Sequence, residues 1–344
     1  MKIKTCGLFR EEDINYANKL KPNYIGFVFA ESKRKVKFEE ACNLKNKLDK
    51  EIKAVGVFVN DNFDFILNLI KDKIIDIIQL HGSEDNDFID NLKIKTNSKI
   101  IINNCALEPE IDDLINFLNE CGCDICREKE SIVINKCSKL HGCEYKVMSD
   151  RIEAGTFLII GAVLGNNLKI NNVNPEHLKS LIDVLEEIGV DLQIKKESIV
   201  VNKGNEYKST NVIVNPYPGF PTDLQQPLSV LLCLCDGVST IKETIYPARL
   251  SHVDSLNEMG ASISIKDDLI EIEGNKKFYG KSVSGKDLRG GISLVIAALL
   301  ASKESKIDGV KYIKRGYSDL VKKLKKIGAN VELERVNDDE KETC

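Results

Sequence analysis

Four times in this chain a helix-patterned segment ends on a glycine and runs directly into a strand-patterned one. The segments are "LINFLNECGCDI", "LIDVLEEIGVDLQI", "HVDSLNEMGASISI" and "LVKKLKKIGANVEL". Their glycines, Gly122, Gly189, Gly260 and Gly328, are spaced 67, 71 and 68 residues apart. Glycine suits the position just past a helix because it enters the left-handed region without a Cβ penalty. So steady a period marks a structural repeat, and a repeat restricts the available folds more than any single motif. Between these helices lie three segments of a second kind: "SDRIEAGTFLIIGAVLG", "TDLQQPLSVLLCLCDG" and "KDLRGGISLVIAALLAS". Each is nearly all apolar after its first turn, which predicts a buried helix. The unit reads strand, exposed helix, strand, buried helix, strands, and several copies around their buried helices predict an α+β domain.

Residues 1–97 follow a different grammar. "KIKTCG", "YIGFVF", "KAVGVFV" and "IIDIIQLHG" are each followed by an amphipathic helical pattern. Alternating βα units predict α/β architecture: a parallel sheet with outer helices, of barrel or doubly wound type. Four units are present where a closed barrel needs eight. The expected domains are therefore 1–97, a single repeat at 98–150, a three-repeat domain at 151–337 and a charged tail at 338–344.

The 344 residues carry a net charge of −4 with both signs interspersed, which gives no reason to expect nucleic acid as a partner. No apolar run reaches the roughly 18 residues of a bilayer span, so no membrane insertion is expected. The N-terminus shows no signal-peptide pattern, and the eleven cysteines, an odd number, read as reduced thiols. Together these features predict a cytoplasmic protein. Cys121, Cys123 and Cys126 sit where a helix should turn into a strand, and small turn residues are preferred there over a zinc site. No metal or cofactor is expected.

Each buried-helix segment opens with an aspartate: Asp150, Asp223 and Asp287. The simplest role for all three is to cap free N–H groups and interact with the helix dipole. Two features set the later ones apart. "NPYPGFPTDLQQP" places four of the eight prolines around Asp223, a stiff lead-in that holds the aspartate in one place. Asp287 is followed by Arg289 and two glycines, and "KRGY" sets Arg315 and Gly316 before another helix. Carboxylates and arginines at the edges of one domain suit proton transfer on an anionic substrate.

"EPEIDDLINFLNECG", "SDRIEAGTFL", "YPGFPTDLQ", "ETIYPARLSHVDSLNEMGA", "DLRGGISLVIAALLA" and "RGYSDLVKKLKKIGA" occur in order. Over residues 98–336 they resemble the C-terminal part of the UDP-N-acetylglucosamine enolpyruvyl transferases. The resemblance implies an inverted α/β fold, incomplete here, built from repeats of about 70 residues. It implies transfer of enolpyruvyl from phosphoenolpyruvate to the 3′-hydroxyl of UDP-N-acetylglucosamine, a step toward peptidoglycan. In that family Asp223 matches the candidate base at the reacting hydroxyl, Asp287 a second active-site carboxylate, and Arg315 the arginine that pairs with phosphoenolpyruvate. Arg289 shares the Asp287 motif, and Ile245 matches a position whose backbone touches the sugar nucleotide. Leu107 stands where the family has arginine, "YPARL" replaces "FENRF", and Pro227 removes a backbone donor.

"CGLFREEDI", "YIGFVFAESKRKV", "VGVFVN" and "DIIQLHG" are similar to the first half of phosphoribosylanthranilate isomerase, a (βα)8 barrel of tryptophan synthesis. The fold implied for residues 1–97 is a (βα)4 half-barrel of TIM type. Cys6 matches that family's general base, Arg34 a substrate-contacting arginine, and His81 the histidine of its "QLHG" strand end. An open half-barrel exposes a parallel edge and an apolar face, which predicts self-association. Three functional readings stay open: an enolpyruvyl transferase impaired by truncation, an isomerase-derived protein, and a catalytically inactive fusion of two truncated enzymes.

Overall fold

A computed structural model describes residues 2–96, 99–137, 139–165 and 167–334. The charged tail expected at 338–344 lies outside the described residues. The chain divides into two units, one of residues 1–103 and 118–142, the other of 104–117 and 143–344.

The first unit is built on a parallel sheet of strands Lys4–Cys6, Tyr24–Val28, Lys53–Phe58 and Ile77–Leu80, paired in chain order. Register runs Lys4 to Tyr24, Tyr24 to Lys53 and Val55 to Ile77. Helices Glu11–Leu20, Phe38–Lys47, Phe63–Lys71 and Asn86–Thr96 alternate with the strands. Apolar residues such as Ile25, Phe27, Ala54, Phe58, Ile66 and Leu69 form the core between sheet and helices. Phe29 stacks on Phe58 at 5.1 Å, with Phe65 edge-on to both, an arrangement favoured by the ring quadrupoles. The Lys4 ammonium of the first strand reaches the Gln79 side-chain oxygen of the fourth. A separate antiparallel sheet of Ile100–Ile102, Ser131–Ile134 and Ile125–Glu128 completes the unit. Cys121 and Cys123 lie between the Pro109–Glu120 helix and the Ile125–Glu128 strand.

In the second unit, three helices form the centre: Arg151–Leu164, Thr222–Leu232 and Leu288–Leu300. Leu158, Ile159, Leu224, Leu228, Leu231 and Ile296 are fully buried. A fully buried leucine or isoleucine contributes roughly 1.5–3 kcal/mol, so these helices supply much of the unit's stability. They cross closely: a Cβ at Gly155 would stand 2.7 Å from Leu224 Cδ1. Around them lie three sheets, of strand order Leu168–Asn171, Ser198–Asn202, Asp191–Lys195; then Asn211–Ile213, Val238–Lys242, Leu269–Glu273, Ile263–Lys266; then Ser282–Ser284 with Lys306–Asp308. The more polar helices Lys179–Ile188, Val253–Glu258 and Leu320–Lys326 lie between strands or follow the last one. Gly189, Gly260 and Gly328 all take positive φ, of 101°, 111° and 92°, at or just beyond their helix ends. Side chains at those positions would be strained.

Candidate active site

Asp150 and Asp287 are N-caps. Asp150 accepts from the N–H groups of Ile152 and Glu153 at 2.8 and 2.9 Å. Asp287 accepts from those of Arg289 and Gly290, both at 2.9 Å. Asp223 is different, because Pro221 occupies the cap position and places Asp223 in the first turn. Its carboxylate therefore turns to two arginines instead of the backbone. Arg289 Nη2 donates to Oδ2 at 3.0 Å, and Arg249 Nη1 pairs with Oδ1. The helix-cap role expected for all three aspartates thus fails at the one that the prolines surround. The lead-in is held by Asn215 N–H to Phe220 C=O at 3.0 Å and Gly219 N–H to Pro216 C=O at 2.8 Å, with a cis Tyr217–Pro218 bond. The helix continues through Pro227.

Arg289 is the hub. Its Nη1 donates to Tyr317 Oη at 3.1 Å, and its guanidinium lies 5.6 Å from the Tyr317 ring centre. Thr156 donates to Ile152 C=O at 2.9 Å, so its short contact with Tyr317, at 2.8 Å, has the phenol as donor. The line Arg289–Tyr317–Thr156 ties together the N-terminal turns of the Leu288–Leu300 and Arg151–Leu164 helices. Asp223 adds the Thr222–Leu232 helix. Three helix N-termini thereby converge, and each adds partial positive charge.

The electrostatics derive from this wiring. Burial alone would raise the Asp223 carboxyl, but Arg289, and after it Arg249, outweigh burial and hold it below the ordinary range. Burial also opposes ionisation of Asp287, and there the Ser251 hydroxyl and the two cap N–H groups win, again lowering it. Arg289 is pulled down by burial and more than restored by Tyr317 and Asp223. Both carboxylates are accordingly anions near neutral pH.

Arg249 belongs to a loop anchored from below. Glu243, 1% exposed, accepts from the N–H groups of Ile245 and Tyr246 at 2.9 and 3.0 Å and from Thr222 Oγ1 at 2.8 Å. Gln225 and Gln226 both donate to Arg249 C=O, at 3.0 and 3.2 Å. Ile245, a candidate through its backbone, thus has its N–H committed to Glu243. Arg315 is exposed, two residues before Tyr317, and among the described residues no ion pair joins it to either carboxylate. Sequence reasoning misses Arg249, Ser251, Glu243 and Tyr317. The nearest signal is that Arg249 lies inside "YPARL" and Tyr317 inside "KRGY".

In the first unit Cys6 and Arg34 line one cavity of about 540 Å³, together with Leu8, Phe9, Arg10 and Tyr16. Both are exposed, and so is His81, which follows the Ile77–Leu80 strand and does not line that cavity. Among the described residues no group of three or more His, Cys, Asp or Glu side chains could hold a metal ion. No described helix is long and apolar enough to cross a membrane.

Residues 92–324 match the sequence model of EPSP synthase (3-phosphoshikimate 1-carboxyvinyltransferase), and residues 3–116 that of N-(5′phosphoribosyl)anthranilate (PRA) isomerase. UDP-N-acetylglucosamine 1-carboxyvinyltransferase of Pelagibacter ubique (strain HTCC1062) is 44% identical over 240 residues, 70% of this chain and 57% of its own length. UDP-N-acetylglucosamine 1-carboxyvinyltransferase 1 of Staphylococcus haemolyticus (strain JCSC1435) is 39% identical over 303 residues, 83% of this chain and 70% of its own. The chain thus spans little more than half the length of the first of these relatives. Among solved structures, the enolpyruvyl transferase NikO from Streptomyces tendae is similar with a TM-score of 0.63 at 22% identity, covering 70% of this chain and 58% of that one. At that identity the likeness concerns the fold alone.

Proposed function

We propose that the second unit carries the carboxylate half of an enolpyruvyl-transfer site, from the premise that this chain belongs to the EPSP synthase (3-phosphoshikimate 1-carboxyvinyltransferase) family. The acceptor is the 3′-hydroxyl of UDP-N-acetylglucosamine, and the donor is phosphoenolpyruvate. The observation that carries the reading is the Asp223–Arg289–Arg249 set beside Asp287, at the converging N-termini of buried helices. In the reaction the hydroxyl oxygen bonds to C2 of phosphoenolpyruvate, its proton passes to Asp223, and C3 takes a proton from solvent. The C2–phosphate bond then breaks, C3 loses a proton, and the enol ether and phosphate leave. Asp287, an anion near neutral pH, accepts the proton that C3 loses. Arg315, exposed and without a carboxylate partner among the described residues, pairs with the anionic donor. A carboxylate already ordered by two arginines needs no reorganisation during the reaction.

The transferase match begins at residue 92, inside the isomerase match that runs to residue 116, and Leu107, Pro227 and "YPARL" depart from the family pattern. Turnover by this chain alone is therefore expected at or near background. Phosphate release from phosphoenolpyruvate with UDP-N-acetylglucosamine tests this. Release near background agrees with an impaired site. Robust release abolished in Asp223→Asn overturns the impairment and keeps the site; robust release unchanged in that variant overturns the site.

A second reading rests on the shared cavity of Cys6 and Arg34. The parallel sheet is half of a TIM-type barrel of isomerase descent, and Cys6 is the remnant of its base. The outer edges of Lys4–Cys6 and Ile77–Leu80 have no strand partner among the described residues, which supports self-association through those edges. Isomerisation of phosphoribosylanthranilate that is lost in Cys6→Ser favours this reading. Silence in both assays favours an inactive fusion.

A further inference from the structure

The loop 245–251 sends two side chains, two residues apart, to two different carboxylates. Arg249 pairs with Asp223, and the Ser251 hydroxyl donates to Asp287 Oδ2. Space for the second contact comes from Gly290. A Cβ there would stand 3.0 Å from Ser251 Oγ and 3.2 Å from Asp287 Oδ2, so any side chain would press on the pair. With Oδ1 taking the N–H groups of Arg289 and Gly290, Ser251 is the side-chain donor that fixes the outer oxygen. We infer that Ser251 is a positioning residue for Asp287, and that the loop 245–251 holds both carboxylates of the site in their acceptor state.

The groups facing Asp287 make the hydroxyl consequential. Arg249 is the cation whose charge reaches it. His252, 1% exposed, is the other titratable neighbour, and neither ring nitrogen has a hydrogen-bond partner among the described residues. Burial lowers its pKa to about 4, against the pull of Asp287, so it is neutral near pH 7 and adds no charge. A hydrogen bond to a charged group is stronger than one between neutral groups, so one hydroxyl moves a carboxylate's titration measurably. The proton-handling role of Asp287 rests on the transferase reading proposed for this unit; the Ser251 contact does not.

Side-chain carboxyl carbon titration by NMR, on the full chain with aspartate-selective labelling, tests the inference without turnover. The Asp287 signal is assigned by its loss in Asp287→Asn. In Ser251→Ala the Asp287 midpoint rises while that of Asp223 stays with wild type, and Ser251→Thr, which keeps the hydroxyl, restores it. Gly290→Ala displaces the hydroxyl and also raises the midpoint. An Asp287 midpoint unchanged in Ser251→Ala, or an Asp223 midpoint that moves equally, overturns the inference. A chain that titrates this way but transfers no enolpyruvyl counts against the reaction and leaves the positioning role standing.

Discussion

The two units place their candidate residues in opposite ways. In the transferase-like unit the acidic candidates sit in the first turns or caps of buried helices, and each is tied by hydrogen bonds to side chains from other elements. In the isomerase-like unit Cys6, Arg34 and His81 are exposed, and only the first two share a cavity. Both units contain stretches that match the sequence model of an enzyme family, so motif resemblance alone does not distinguish them. What differs is whether tertiary structure fixes the side chains. A catalytic group held by partners is preorganised, whereas one on an open surface must be ordered by its ligand.

That contrast can be broken by stability measurements. The largest effect is expected in the three-helix centre: Leu228→Ala should cost about 2–5 kcal/mol by urea denaturation, and a loss below about 1 kcal/mol would mean the centre is not well packed. Next comes pH. His252 has its folded pKa lowered to about 4, below the ~6.5 of the unfolded chain, so the unfolded state binds the extra proton between those values. Stability is full above about pH 6.5 and falls as the pH drops toward 4, by on the order of 3 kcal/mol. His252→Leu should flatten that slope; an identical slope in the variant would contradict the burial argument. Asp223 and Asp287, also lowered, add stability that is lost only as the pH falls further, through their own folded pKa values.

Arg289→Met comes after these, with about 2 kcal/mol expected because Asp223 keeps Arg249 while Tyr317 loses its donor. Smallest is Cys6→Ser in the other unit. An exposed strand cysteine whose side chain makes no hydrogen bond among the described residues should change stability by no more than ~0.5 kcal/mol. A loss as large as that of Arg289→Met would erase the contrast between the units.

Much of this contrast was legible in the sequence. Glycines past helix ends mark chain reversals because only local backbone geometry is involved, and Gly189, Gly260 and Gly328 take the required φ. The three buried helices were visible as apolar runs. The role of Asp223 was not, because capping depends on a small offset along the chain: Pro221, not Asp223, holds the cap position. Arg249 and Ser251 were hidden for a different reason. Their partners lie 26 and 36 residues away in the chain, and no local pattern reports such pairings. In the first unit the motifs singled out Cys6, Arg34 and His81, but could not tell which would line one cavity.

The central proposal is that Asp223, Arg289 and their neighbours form one binding site for an anionic donor and its sugar-nucleotide acceptor. Isothermal titration of the full chain with phosphoenolpyruvate in the presence of UDP-N-acetylglucosamine tests it most directly. One-to-one binding that is lost in Arg289→Met and untouched in Cys6→Ser is the predicted result. No binding at all, or binding indifferent to Arg289→Met, would contradict it.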